Sequence, residues 1–148
     1  MIWKPHVTVA AVIEQDGKFL LVEEHTAQGL MFNQPAGHLE SDESLIAGVS
    51  REVMEESARD FEPQYLIGIY RWHSQSANVT YLRFAFGGRV RAHFPERPLD
   101  EGIVHAIWMS PEEIRATQSR HRSPLILRCV EDYLAGKRYP LEILTHYD

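Results

Sequence analysis

Apolar residues in the first part of the chain fall in short runs, without a helical rhythm. Val7-Thr-Val-Ala-Ala-Val-Ile13 and Lys18-Phe-Leu-Leu-Val22 read as two strands. Asp16-Gly17 between them is a two-residue hairpin signal, because both turn positions tolerate positive φ. Both faces of these strands carry apolar side chains, so helices are expected to cover the sheet on both sides. Leu30-Met-Phe-Asn-Gln34 is a further apolar stretch, stopped by Pro35. Pro35-Ala-Gly37 then reads as a loop in which the glycine permits an unusual backbone turn.

Beyond Gly37 the rhythm changes. Ser41 and Asp42 are good N-cap residues, and Leu45, Ile46, Val49 and Val53 recur at helical spacing, which predicts a helix of about four turns from near Asp42 to near Ala58. Tyr65 to Trp72 and Val79 to Gly88 return to strand character, with residues 74–78 as a hairpin connection, and Ile103 to Met109 is a further strand. Ser110-Pro-Glu-Glu113 is a capping box for a short helix. Ser123-Pro124 opens the next helix, and Gly136 ends it. With no internal repeat, low-complexity tract or linker, residues 1–148 read as one α/β domain with a mixed sheet between helices.

Composition narrows the function more than the fold. A chain of 148 residues suits one domain and buries close to about 70% of its unfolded surface, so it needs no staple. The net charge of -6 carries no electrostatic footprint for a nucleic-acid polymer or an anionic membrane. An anionic ligand therefore needs local cations. Cys129 is the single cysteine, so an internal disulfide is excluded and a buried, inert thiol in a reducing cytoplasmic compartment is expected. The Val7 to Ile13 run is too short to span a bilayer.

The candidate chemistry lies in the first helix. Each helical residue advances about 100°, so with Glu52 at zero, Glu55 falls near about -60° and Glu56 near about +40°. Leu45, Val49, Val53 and Ile46 occupy roughly 20° to 120° on the same wheel, so the carboxylates border the core stripe instead of opposing it. Like charges at i, i+3 and i+4 repel one another, and Arg51 reaches Glu55 at i, i+4 without neutralising all three. Oxygen ligands of this kind suit a hard divalent cation, Mg²⁺ or Mn²⁺. A solvated acidic face is the plainer alternative.

In spacing this segment resembles the Nudix box, G-x5-E-x7-R-E-U-x-E-E-x-G-U with U a bulky aliphatic residue. Gly37, Glu43, Arg51, Glu52, Val53, Glu55 and Glu56 are all in register. Ala58 stands where the family has its closing glycine and Arg59 where it has an aliphatic residue, so the left-handed helix stop is either made by alanine or displaced toward Asp60. The resemblance implies a Nudix fold, an α/β/α sandwich, and hydrolysis of a diphosphate joined to another group. It also implies that Glu52, Glu55, Glu56 and the Gly37 carbonyl hold the metal, with Arg51 in support. In the family the general base is sometimes a helix glutamate and sometimes a distant acid, and Asp100 and Glu101 are the candidates for the latter.

Over most of its length the chain is further similar to a branch of bacterial Nudix phosphatases of loose specificity. Lys4-Pro-His-Val-Thr-Val-Ala10, Phe32-Asn-Gln-Pro-Ala-Gly-His-Leu-Glu40, Leu82-Arg-Phe84, Arg122-Ser-Pro-Leu125 and Arg138-Tyr-Pro-Leu-Glu142 carry that likeness. It implies release of orthophosphate from nucleoside tri- and diphosphates and from hydroxymethylpyrimidine diphosphate, by a monomer or homodimer. The alternatives are a Nudix pyrophosphohydrolase for ADP-ribose, a dinucleotide or an oxidised nucleotide, and a catalytically silent nucleotide sensor. Arg83 is a candidate phosphate donor, and Arg71, Trp72 and Phe32 are candidates to flank a planar base, against the plainer readings of surface arginines and core aromatics. His38 and Arg122 attract notice by position only.

Overall fold

The computed structural model describes residues 1–148. The strands are β1 (His6–Val12), β2 (Glu14–Gln15), β3 (Lys18–Thr26), β4 (Gly29–Asn33), β5 (Ala36–His38), β6 (Arg59–Ser74), β7 (Val79–His93) and β8 (Ile103–Met109). The helices are α1 (Leu45–Ser57), α2 (Pro111–Ala116) and α3 (Leu125–Leu134).

Asp16 and Gly17 both adopt left-handed backbone, with φ of 53° and 79°, and make the tight turn read from the sequence. The hairpin they close is shorter than expected. Only β2 pairs with β3, while β1 leaves for the other sheet. There β1 pairs antiparallel with β5 and parallel with β7, which pairs in turn with β6, so this sheet is mixed in the order β5-β1-β7-β6. The second sheet is antiparallel around β3, with β2 and β4 on one side and β8 on the other.

Strand alternation then builds two cores from one layer of sheets. Val9, Ala11, Ile13, Leu20, Leu66 and Phe86 meet Val49 and Val53 of α1. Val12, Phe19, Leu21, Ile67 and Ala85 meet Ile114 of α2 and Ile126, Cys129 and Val130 of α3. This is the expected α/β/α arrangement. Each fully buried large aliphatic or aromatic side chain contributes about 1.5–3 kcal/mol, so the strands are fixed between the helix layers. Cys129 is fully buried, and burial raises the pKa of its thiol.

Three local expectations change. Helix α1 begins at Ser44, whose Oγ accepts from the Ala47 N–H at 3.1 Å, not near Asp42. Ser41 and Asp42 sit in the preceding turn, where the Glu43 carboxylate accepts from the Glu40 N–H. Pro35-Ala-Gly37 does not continue as a loop, because Ala36 and Gly37 enter β5 and pair with β1. Strands β6 and β7 outrun their predicted ends, since charged cross-strand pairs such as Glu62–Arg89 and Asp60–Arg91 extend the ladder where apolar periodicity has stopped.

Other terminal signals hold. Both arms of the Ser110 capping box are present. Ala58 itself takes the left-handed stop, with φ 55° and ψ 35°, and its N–H reaches the Met54 carbonyl at 2.9 Å. The Arg59 guanidinium lies 5.6 Å from the centre of the Trp108 ring, so its stem covers apolar surface where the family has an aliphatic side chain. No helix is long and apolar enough to cross a membrane.

Candidate active site

Strand β5 and helix α1 lie side by side along one rim of an open cleft of about 1300 Å³. Gly37 is in extended strand backbone and needs no positive φ. Glycine leaves space there: a Cβ would overlap the Glu52 carboxylate as it stands, so a larger residue would turn that carboxylate away. The sequence reading placed this glycine in a turn, and close packing is the physical reason for it instead.

Glu52 and Glu56 are buried, and Glu55 is partly exposed, all three lining the cleft. The Glu56 Oε1 accepts from the Ala36 N–H at 3.0 Å. Burial dominates its titration and, with the nearby charges of Glu52, Glu24 and Asp100, pushes its pKa up to about 9 against the pull of that N–H. Burial also raises Glu52, opposed by Arg51. Arg51 does more than pair with Glu55. Its guanidinium donates to Glu43, Glu52 and Glu55 at 2.7–2.9 Å and to the His38 carbonyl at 3.1 Å. Arg51 thus ties the β5 backbone to the helix and holds the Glu43 carboxyl below the usual range.

This donor set fits a hard divalent cation in its chemistry: carboxylates, a backbone carbonyl beside Gly37, and the buried Glu56, whose carboxyl holds its proton until a positive charge is placed beside it. As the side chains stand, no three carboxylates, histidines or thiols converge around one point. Arg51 holds Glu52 and Glu55, and the Ala36 N–H holds Glu56. Rotation of the glutamate side chains away from these partners is what a cation would require.

The remaining candidates separate clearly. Both loop acids are exposed, but Asp100 lines the cleft, its backbone N–H donating to the Glu55 carbonyl at 2.9 Å, whereas Glu101 lies outside it. Trp72 lines the cleft and stacks on Tyr81, with ring centres 5.8 Å apart and planes at 15°. Arg71, its neighbour on β6, is exposed and does not line the cleft, because successive strand side chains alternate faces. Phe32 belongs to the core beside α3 and is covered by the Arg120 guanidinium at 4.3 Å, so it offers no face to a ligand. Arg83 lines the cleft while 7% exposed. Arg122 also lines it and pairs with Glu24 at 2.9 Å, and Ser123 Oγ accepts from the Leu125 N–H at the start of α3.

Several cleft residues carried no signal in the sequence. Glu24 follows the apolar run of β3 and lines the cleft beside Arg122, which donates to it from a loop far along the chain. Thr8, Asn33, Gln34 and Tyr81 become cleft or near-cleft residues through strand register, which periodicity does not assign between strands.

Comparison with known proteins places these features in context. The family model described as the NUDIX domain matches residues 4–129. Phosphatase NudJ from Escherichia coli strain K12 is 40% identical over 146 residues, covering 99% of this chain and 94% of that protein. A NUDIX hydrolase from Nitrosomonas europaea superposes with a TM-score of 0.95 at 58% identity, over 97% of this chain and 98% of that one. An ADP-ribose pyrophosphatase from Streptococcus suis superposes with a TM-score of 0.63 at 24% identity, over 88% of this chain and 92% of that one, a likeness of fold alone.

Proposed function

The chain belongs to the Nudix family, and from that premise we propose that it is a divalent-metal-dependent hydrolase of phosphoric anhydride bonds that releases orthophosphate from small substrates. Nucleoside tri- and diphosphates and hydroxymethylpyrimidine diphosphate are the substrates, as the likeness to Phosphatase NudJ implies. The observation that carries the reading is the packing of Glu52 onto Gly37 beside the buried Glu56 at the cleft rim. Carboxyls whose ionisation is resisted by burial ionise readily beside a divalent cation, which is what such a pair at a cleft rim suits.

Glu52, Glu55, Glu56 and the Gly37 carbonyl hold Mg²⁺ or Mn²⁺ in this reading. An ion held there would neutralise the diphosphate oxygens and acidify a water so that it can be deprotonated for attack near neutral pH. The protein supplies the rest. Arg51 ties Glu52 and Glu55 to the β5 backbone and offsets part of their charge, so it keeps the carboxylates at the rim until they turn to a cation. Asp100, anchored through its own N–H, serves as the carboxylate that accepts a proton from the attacking water. The Trp72–Tyr81 stack offers an aromatic face to a planar heterocycle, and a stacking contact suits loose specificity because it reads no hydrogen-bond pattern.

A substrate panel scored for both orthophosphate and pyrophosphate, with Mg²⁺, with Mn²⁺ and with EDTA, tests the proposal. Orthophosphate release that depends on the metal is expected. Pyrophosphate plus a monophosphate would move the chain to the pyrophosphohydrolases, and no turnover of any anhydride would make it a nucleotide-binding domain.

A further inference from the structure

Arg83 on β7 is 7% exposed yet forms no ion pair with any acid of the chain. Its side-chain partners are neutral: Nη1 donates to Gln34 Oε1 at 2.9 Å, Nη2 to Asn33 Oδ1 at 3.0 Å, and the guanidinium also meets the buried Cys129 thiol. Gln34 is itself locked, since its Nε2 donates to the Ile126 carbonyl at 2.8 Å, which fixes its oxygen toward the arginine. Buried charges in proteins are ordinarily paired, and a guanidinium has five N–H donors, of which the two amides account for two. The charge is therefore oriented but not cancelled.

Sheet register sets its place. Arg83 lies opposite Thr8 of β1, and Thr8 lies opposite His38 of β5, one residue from Gly37. Two strand spacings, about 10 Å, separate the Arg83 backbone from β5, and Arg83 projects on the α3 side of the sheet while Gly37 faces Glu52 of α1. Both line the same cleft.

We infer that Arg83, aimed by Gln34 and Asn33, is a preformed phosphoryl-binding site that works without the metal and gives orthophosphate its own place in the cleft. The ligand is a tetrahedral phosphate dianion or the terminal phosphoryl group of a substrate, which share the same oxygen acceptors. The substrate class rests on the reading of the cleft as a phosphoanhydride site, but binding of phosphate does not depend on turnover. Amide partners suit this task better than carboxylates would, because they orient the fork and leave its charge for the ligand.

The test is calorimetric titration of inorganic phosphate in EDTA, paired with inhibition of turnover by phosphate. Wild type binds phosphate at millimolar concentration without metal, and Glu56→Gln binds it equally well, which separates this site from the metal ligands. Arg83→Gln loses at least about tenfold in affinity. Asn33→Asp keeps the hydrogen-bond geometry but gives Arg83 a counter-ion, so it loses phosphate affinity while its melting temperature does not fall. That variant decides the matter if Arg83→Gln folds poorly. A raised KM in Asn33→Asp assigns the site to the substrate's phosphoryl group, and weaker phosphate inhibition at constant KM assigns it to the leaving product. No phosphate binding by wild type in EDTA, or undiminished binding by Asn33→Asp, would overturn the inference.

Discussion

The Glu52 carboxylate packs against the Cα of Gly37 so closely that no side chain fits between them. Strand β5 and helix α1 therefore approach through a glycine, and the family's first motif position is explained by volume instead of by a turn. Replacement by alanine forces either the strand or Glu52 to move. Gly37→Ala is expected to lower turnover by at least about tenfold through displacement of one carboxylate, since small misplacements of catalytic groups cost this much or more. The fold should survive, at a cost of about 1–3 kcal/mol for overpacking. Parallel kinetics and thermal melts check both parts, and wild-type turnover in a folded Gly37→Ala would show that Glu52 placement does not matter.

Glu56 controls how stability depends on pH before metal binds. Its folded pKa of about 9 lies above the ordinary value of 4.5, so the folded protein holds this proton more tightly than the unfolded chain. The contribution is fully present below about pH 4.5 and is lost as pH rises through about 9. In EDTA the melting temperature should fall across that window from this group, and Glu56→Gln, which keeps an oxygen for the Ala36 N–H, should flatten the fall. The same variant should lower metal-dependent turnover by at least about a hundredfold with little change in folding at neutral pH. Melts at several pH values, with and without Mg²⁺, read the first effect, and an unchanged slope in Glu56→Gln would assign the pH dependence elsewhere.

Arg51 joins four acceptors at once, three carboxylates and the His38 carbonyl. A lysine carries the same charge but cannot fork to them together. Arg51→Lys is expected to cost about 1–3 kcal/mol, the range for one lost charge-assisted hydrogen bond, discounted because the guanidinium is partly exposed. Weaker Mg²⁺ dependence of turnover should accompany it. Chemical denaturation gives the stability, and metal titration of activity gives the second effect. If both match wild type, the multiple contacts of Arg51 contribute nothing a point charge does not.

What the sequence made legible followed from local rules. The Asp16-Gly17 turn, the Ser110 capping box and the Gly136 stop each depend on a few neighbouring residues, and each is present in the structure. The helix wheel likewise placed Glu52 and Glu56 at the margin of the core, where both are buried. Non-local contacts were hidden. Nothing near Arg51 reveals that it also reaches Glu43, because the turn at 41–44 folds back onto the helix. Phe32 and Arg71 do not offer a face to the cleft for a related reason: their strands pair with sequence neighbours, but which face is covered is set by distant elements, such as the α3 core and Arg120 over Phe32.

Ala58 tests how a glycine is dispensed with at a left-handed helix stop. Its φ of 55° costs about 1–2 kcal/mol relative to an unstrained position, but its methyl group is 2% exposed, and a buried methyl group contributes about 0.8 kcal/mol. Glycine would relieve the first and forfeit the second while adding freedom to the unfolded chain. Ala58→Gly should therefore change stability by no more than about 1 kcal/mol, with activity unaltered. A gain much larger than this by denaturant titration would mean that the methyl group packs poorly.

Asp100 and Glu101 adjoin in sequence, and only one faces the chemistry. Asp100 lines the cleft and is tied by its backbone to the Glu55 carbonyl, while Glu101 is not among the cleft residues. If Asp100 accepts the proton of the attacking water, Asp100→Asn removes the base without changing its shape. The expected loss is about a hundredfold in kcat with KM little changed, and the acidic limb of the pH–rate profile should vanish, because a general base must be deprotonated to act. Glu101→Gln should retain wild-type kinetics. A helix glutamate acting as base predicts another pattern, in which Asp100→Asn keeps the acidic limb and loses only the few-fold effect of one nearby negative charge. The two profiles, measured with Mg²⁺ saturating at each pH, assign the base to the loop or to the helix.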